Sequence, residues 1–164
     1  MSLTLRQIEE GDIDGFRTAI DRVAHERKYL ALLQAPPAEQ VRAFVRRNIE
    51  NGYPQIVAVD DDKIVGWCNI PPASRAVSAH VGDLFMGLLP EWRGRGLGER
   101  LLKQAIQAAD DFGFLRIELG VFATNTAAAA LYRKVGFVEE GTKSKAILID
   151  GAFHDEIIMA RLKP

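Results

Sequence analysis

Between positions 93 and 98 the chain reads Arg-Gly-Arg-Gly-Leu-Gly, three alternate glycines interleaved with two arginines. Glycine lets a backbone come close to a ligand, so several N–H groups in such a stretch can converge on one anion. An apolar stripe at helical spacing, Leu97, Leu101, Ala105, Ala108 and Phe112, begins inside the same stretch and aims the positive end of a helix at the same place. Arg93, Gly94, Arg95, Gly96, Leu97, Gly98 and Glu99 are therefore predicted to hold phosphate, and two arginines with three glycines suit a pyrophosphate. A dinucleotide fingerprint would need glycine where Glu99 stands, and a P-loop would need Gly-Lys followed by Ser or Thr. Neither pattern is present. Taken alone, the segment could also be a tight strand-to-helix turn with exposed arginines.

A second constellation lies downstream. Asn125 and Tyr132 are two helical turns apart, which puts both side chains on one face of a short helix, with only alanines from 127 to 130 between them. Those alanines leave room for an extended ligand along the helix, and helix propensity alone would also explain them. The single cysteine, Cys68, can form neither an internal disulfide nor a multi-cysteine zinc site, and the three histidines make no H-x-x-x-H pair, so no metal is expected. Cys68 alternates with Ile64, Gly66 and Ile70 along a strand pattern, which predicts a buried small hydrophobe. Asp60, Asp61 and Asp62 lack the alternating ligands of a calcium loop and read as a solvated turn.

Positioning these residues requires an ordered set of elements, and the pattern supplies one. Leu3, Leu5 and Ile8 give a strand; Ile13, Phe16, Ile20 and Val23 give a helix behind Asp12. Pro36-Pro37 restarts the chain into a second helix marked by Val41, Phe44, Val45 and Ile49, which stops at Asn51-Gly52. Segments 56–59 and 63–70 form a hairpin, 79–89 is strand-like, and a helix runs to Phe112. Ile117, Leu119 and Val121 alternate as a strand, a short helix closes at Gly136, and two last strands turn at Asp150-Gly151, a type I′ signal. Strands and helices interleave with an antiparallel flavour at both ends, which predicts a mixed α+β sheet packed by helices. The 164 residues suit a single domain spanning 1–164. With 48% hydrophobic and 26% charged residues the chain should fold, and 21 basic against 22 acidic side chains give it no electrostatic reason to coat nucleic acid or an anionic membrane. No apolar run is long enough to span a bilayer and Met1 to Glu10 does not look like a signal peptide, so a cytoplasmic protein is expected.

Arg93-x-x-Gly96-x-Gly98 after Leu88-Leu89-Pro90 resembles the coenzyme A loop of the GNAT acetyltransferase superfamily. A second motif of that family, N-x-x-A-x-x-L-Y-x-K-x-G-F, stands in the same order as Asn125, Ala128, Leu131, Tyr132, Lys134, Gly136 and Phe137. The resemblance covers nearly the whole chain. Within the superfamily, His80-Val81-Gly82-Asp83 and the tail from Asp150-Gly151 through Asp155 to Met159-Ala160-Arg161 look like the branch that acetylates free amino acids. The resemblance implies a central, mostly antiparallel sheet of about seven strands flanked by four helices, acetyl-CoA as co-substrate, and a small-molecule amine as acceptor. It leaves a homodimer open. It also implies that Met86, Gly87 and Leu88 pair through their backbones with the cofactor's amides, that Asn125 contacts the pantetheine beside Ala128 and Lys134, and that Tyr132 sits at the sulfur.

Acetyl transfer needs an unprotonated amine, a donor for the carbonyl oxygen and stabilisation of the departing thiolate, but no covalent intermediate. The resemblance gives the first donor as the Leu88 N–H and the acid as Tyr132. A phenol near pKa 10 would give its proton to a thiolate near 8.5 uphill by about 2 kcal/mol, so Tyr132 is better read as a hydrogen-bond donor to sulfur. The protein-N-terminus branch carries a glutamate five residues before the asparagine, where this chain has Gly120. Glu118, Asp83, His80 and Asp155 are the remaining groups that could take a proton or hold an ammonium, and an α-amine near pKa 8 could also lose its proton through water. An acceptor pocket bordered by the first two helices and the third strand would put Glu26, Trp67, Asn69 and Pro71 in reach. The leading expectation is thus N-acetylation of a small amine, an amino acid or analogue. A protein N-terminus or a polyamine as acceptor, and a non-catalytic acyl-CoA sensor, are the alternatives.

Overall fold

A computed structural model describes residues 2–164. The chain runs through β1 (Leu3–Gln7), α1 (Ile13–His25), α2 (Ala38–Asn51), β2 (Gln55–Asp60), β3 (Lys63–Asn69), β4 (Val81–Asp83), β5 (Phe85–Leu88), α3 (Leu97–Phe112), β6 (Arg116–Phe122), α4 (Thr126–Lys134), β7 (Val138–Ile149) and β8 (Ala152–Leu162). Among the described residues eight strands form two four-stranded sheets, ordered β1-β2-β3-β5 and β4-β6-β8-β7. All pairings are antiparallel except β4 with β6. The mixed α+β architecture with four helices matches the sequence reading. Turn chemistry matches too: Asp150 and Gly151 have φ of 50° and 77°, as a type I′ hairpin demands.

One expected strand is two. The stretch 79–89 breaks at Leu84: Val81–Asp83 pairs with β6, whereas Phe85–Leu88 pairs with β3. Part of the reason lies in β3, which ends at Asn69 and continues into Ile70-Pro71-Pro72. Prolines offer no N–H, so the ladder with β3 cannot continue past Phe85 and only an isolated bridge joins Pro72 to Gly82. The Leu84 N–H then donates to the Glu118 carbonyl at 2.8 Å, and beyond that bond β5 and β6 part. A gap opens between the two sheets there.

Helices close both sides. The apolar faces of α1 and α2 bury Phe16, Val23, Val41 and Val45 against Val57, Val65 and Trp67 on one face of the first sheet. On the other face α3 packs Leu101, Leu102 and Ala105 against Ile56 and Cys68, and the same core continues to Ile117, Val121 and Met159 of the second sheet and to Ala129 and Tyr132 of α4. The Arg161 guanidinium bridges both oxygens of Asp110 at 2.9 Å, tying β8 to α3. Both parities of β3 are buried, so Cys68 is fully enclosed, as its alternation predicts.

Candidate active site

The gap between β5 and β6 widens into a cavity of about 590 Å³ that runs from Gly94, Gly96 and Gly98 at one end to Glu156 and Ile158 at the other. At the first end the loop before α3 holds Gly94 and Gly96 at φ of 73° and 78°, a left-handed conformation that favours glycine. No N–H from Gly94 to Glu99 finds an acceptor among the described residues; the first to do so is that of Arg100, to the Gly96 carbonyl. Six successive free donors at the start of a sixteen-residue helix fit a pyrophosphate. The cradle is therefore made by backbone, with the exposed Arg95 stacked over Trp92 at 5.1 Å beside it.

Arg93 is placed differently from its sequence reading. Its guanidinium meets both oxygens of Glu26 at 2.8 and 2.7 Å, donates twice to the Leu88 carbonyl at 3.1 and 2.8 Å, and lies over the Tyr29 ring at 4.5 Å. Four of its five N–H donors are thereby engaged, so the side chain clamps α1 and the following loop to the end of β5. Glu26, expected to meet an acceptor ammonium, is occupied by the same contact. Glu99 and Lys134 also hold each other, at 2.8 Å, with Lys103 on the second oxygen of Glu99 at 2.8 Å. These two ammonium groups hold the Glu99 carboxyl down to about 2.

Along the middle of the cleft, β5 offers its backbone. The Leu89 N–H bonds the Val65 carbonyl at 2.9 Å, and antiparallel alternation then turns the peptide groups of Gly87 toward β3 and those of Met86 and Leu88 toward the gap. Gly87 serves by its missing side chain: a Cβ there would stand 2.5 Å from the Trp67 ring. Facing β5, α4 lays Asn125, Ala127, Ala128, Leu131 and Tyr132 along the cleft. The Asn125 Oδ1 caps this helix by accepting from the Ala128 N–H at 3.2 Å, which leaves its amide nitrogen for a ligand. Tyr132 is almost enclosed, edge-on to Phe137 at 5.8 Å, and reaches the cleft from the α3–α4 side. Burial pushes its phenol well above the ordinary range, with Cys68 adding in the same direction. A neutral donor is the form such a group keeps. Burial also pushes the Cys68 thiol far up, which leaves it un-ionised and a poor nucleophile.

At the far end Asp83 and Glu118 stand side by side as register partners, both lining the cavity. The Arg116 Nε donates to Glu118 at 2.8 Å. Asp83 has its carboxyl raised, first by burial and then by the charge of Glu118. Other expected residues lie elsewhere. Trp67 is core, edge-on to Phe16; Asn69 is buried on the same strand face. His80 is exposed at the start of β4 with its carbonyl bonded to Leu115, and the Asp155 carboxylate accepts the Lys145 N–H at 2.8 Å in the β7–β8 hairpin. Tyr29, Leu30 and Glu156, which the sequence patterns do not single out, also line the cavity. Tyr29 and Leu30 belong to an irregular loop with no periodicity to reveal their direction. Glu156 carried a usable signal, its even parity with Ile158 opposite the core residue Met159.

Residues 17–137 match the model of the acetyltransferase (GNAT) family. The chain is 32% identical over 162 residues to the L-amino acid N-acetyltransferase AaaT of Escherichia coli (strain K12), covering 98% of each. Among solved structures it is similar to an acetyltransferase of the GNAT family from Streptococcus pneumoniae, with a TM-score of 0.90, 30% identity, and 99% and 100% of the two chains covered. It also shares its fold, at TM-score 0.90 and 22% identity over 99% of this chain and 89% of the other, with a phosphinothricin acetyltransferase from Sinorhizobium meliloti solved in complex with AcCoA.

Proposed function

The chain belongs to the GNAT acetyltransferase family and is an N-acetyltransferase, and on that premise we propose that it transfers acetyl from acetyl-CoA directly to the primary amine of a small molecule, an amino acid or close analogue. The free backbone donors of Gly94 to Glu99 suit the pyrophosphate, and the Met86 peptide group and the Leu88 N–H with the Asn125 amide suit the pantetheine arm. When bound, acetyl-CoA supplies an activated thioester carbonyl and a thiolate leaving group. In this reading the Leu88 N–H faces the charge that develops on the carbonyl oxygen, and the Tyr132 hydroxyl hydrogen-bonds the sulfur as it becomes negative. Asp83 takes the amine's proton, because it is the partly buried carboxylate of the cleft with a raised affinity for a proton, whereas Glu118 is engaged by Arg116.

The observation that carries this proposal is the strand break at Leu84. It leaves the Leu88 N–H unpaired among the described residues, inside a cleft whose other wall is a buried, protonated phenol. A module that only bound an acyl-CoA would have no use for a donor at the sulfur. Full-length similarity to an L-amino acid N-acetyltransferase supports the acceptor class. The test is a panel of free amino acids, polyamines and short peptides incubated with acetyl-CoA, with release of free thiol as the readout. Turnover on amino acids above the other classes is expected; turnover confined to peptides or polyamines overturns the acceptor assignment, and no turnover with tight acetyl-CoA binding overturns the enzyme reading.

A further inference from the structure

Glu156 has an unusual seat. Its register partner on β6 is Phe122, yet its carboxylate leans along the strand until it overlies Gly120, so closely that a Cβ on Gly120 would stand 2.8 Å from both Cδ and Oε2 of Glu156. The direction of the lean follows from the fold. Met159 is fully buried in the α3–α4 core and Ile157 packs against that core, so by alternation Glu156 and Ile158 project to the opposite face of β8. Gly120 pairs with Ile158 and so shares that face. Gly120 is also two residues beyond Glu118, whose carbonyl takes the last bond joining the chain between β4 and β5 to β6. The carboxylate thus hangs where the gap begins to open, across the cleft from Tyr132, which enters from the other face.

We propose that Glu156 is the acceptor-binding residue of this chain: its carboxylate receives the amine that is to be acetylated, and Gly120 lacks a side chain so that the carboxylate can lie there. The assignment rests on the N-acetyltransferase reading above. Three features argue that the carboxylate is kept for a ligand. Its side chain is 22% exposed at the edge of a cavity, where an ion is partly desolvated and an attraction to a cation is strengthened. Lys143, the cation that meets it among the described residues, stands off at 3.9 Å and is 66% exposed, too loose a contact to hold the carboxylate over Gly120. The two ends of the cavity are chemically opposite, with free N–H donors at one end and Glu156, Asp83 and Glu118 at the other, so an anion and a cation sort themselves to the ends they must occupy for transfer between them.

Steady-state kinetics on the best acceptor from the amine panel test this, with acetyl-CoA affinity measured by calorimetry on the same samples. Glu156→Gln keeps the shape and removes the charge, and should raise the acceptor KM at least tenfold with acetyl-CoA affinity changed less than twofold. Gly120→Ala should shift the acceptor KM the same way, because the three atoms nearest its Cβ all belong to the flexible side chain of Glu156, which can move and carry the carboxylate away without disturbing the strand. Lys143→Ala should leave the acceptor KM unchanged. An acceptor KM within twofold of wild type in Glu156→Gln, or Lys143→Ala reproducing the loss, overturns the assignment while wild-type turnover still upholds the enzyme. A wild-type chain that acetylates no amine sinks the reading it rests on, and this assignment with it.

Discussion

A phenol that burial holds in its protonated form can stabilise a thiolate by donating a hydrogen bond, yet it gives up its proton less readily than a free tyrosine. Tyr132→Phe should therefore lower kcat by about 10²–10³-fold with little change in acetyl-CoA affinity, because the hydroxyl matters most when the sulfur is negative. A phenylalanine variant with wild-type kcat would remove Tyr132 from the chemistry. Asp83 makes a prediction about stability as well as rate. Its carboxyl is raised in the fold, so the folded state favours the protonated form; that stabilisation is complete at low pH and is lost as pH rises through the folded value. Asp83→Asn should match wild-type stability near pH 3 and exceed it at pH 8, while acetylation slows; thermal midpoints across that range, with rates at pH 7 to 8, check both halves. At this scale the sequence was informative where a side chain's role depends on near neighbours. Cys68 was placed in the core by strand alternation, and Asn125 and Tyr132 shared a helix face by spacing. Arg93 and Glu26 were not legible, because an ion pair formed across 67 positions leaves no local trace. Asp155 and Glu156 differ by one residue and hence by strand face, and the face that lines the cleft is that of Glu156.

Among the elements, the loop into α3 was readable because glycine spacing and a helix start are both local, and the strand break at Leu84 was not. Nothing in 79–89 interrupts the strand pattern; the break depends on which partner each half meets, and so on Pro71-Pro72 in a different segment. Gly96 tests the loop. Its φ of 78° costs an L-residue about 1–2 kcal/mol, but among the described residues no atom beyond its chain neighbours lies within 4 Å of where a Cβ would stand. Gly96→Val should consequently remain folded by circular dichroism and lose acetyl-CoA affinity at least tenfold by calorimetry; unchanged affinity would move the pyrophosphate elsewhere. The Arg93 clamp tests how α1 is held to β5. Four charge-assisted hydrogen bonds meet at that guanidinium, and such bonds are worth about 1.5–3 kcal/mol each when one partner is removed. Because Arg93 and Glu26 satisfy each other, Arg93→Gln and Glu26→Gln should be strongly non-additive in urea unfolding, coupled by about 1 kcal/mol or more. Additive losses would show that the two side chains act independently.

At the scale of the whole molecule, the cleft is where the two sheets separate, and its ligand would bridge them. The sheets are joined through the chain at Leu84 and by α3, whose apolar face spans the core from Ile56 and Cys68 to Ile117 and Val121. Among the described residues, the N–H groups of Met86 and Leu88 meet no partner strand between β5 and β6, and the donors of Gly94 to Glu99 meet no acceptor. A ligand lying along the cleft supplies acceptors to both sets at once and cannot do so in an unfolded chain. Its binding energy must then appear as folding stability. With acetyl-CoA at about a hundredfold above its Kd the stabilisation is about 2.7 kcal/mol, which for a chain of this size raises Tm by roughly 5–10 °C. Differential scanning calorimetry should show this rise for the wild type and for Tyr132→Phe, whose hydroxyl serves the reaction more than the binding. Gly96→Val should show little of it at the same concentration. A rise of equal size in Gly96→Val would mean that the bridge is made without the glycine loop, and an absent rise in the wild type would mean that the gap is not where the cofactor lies.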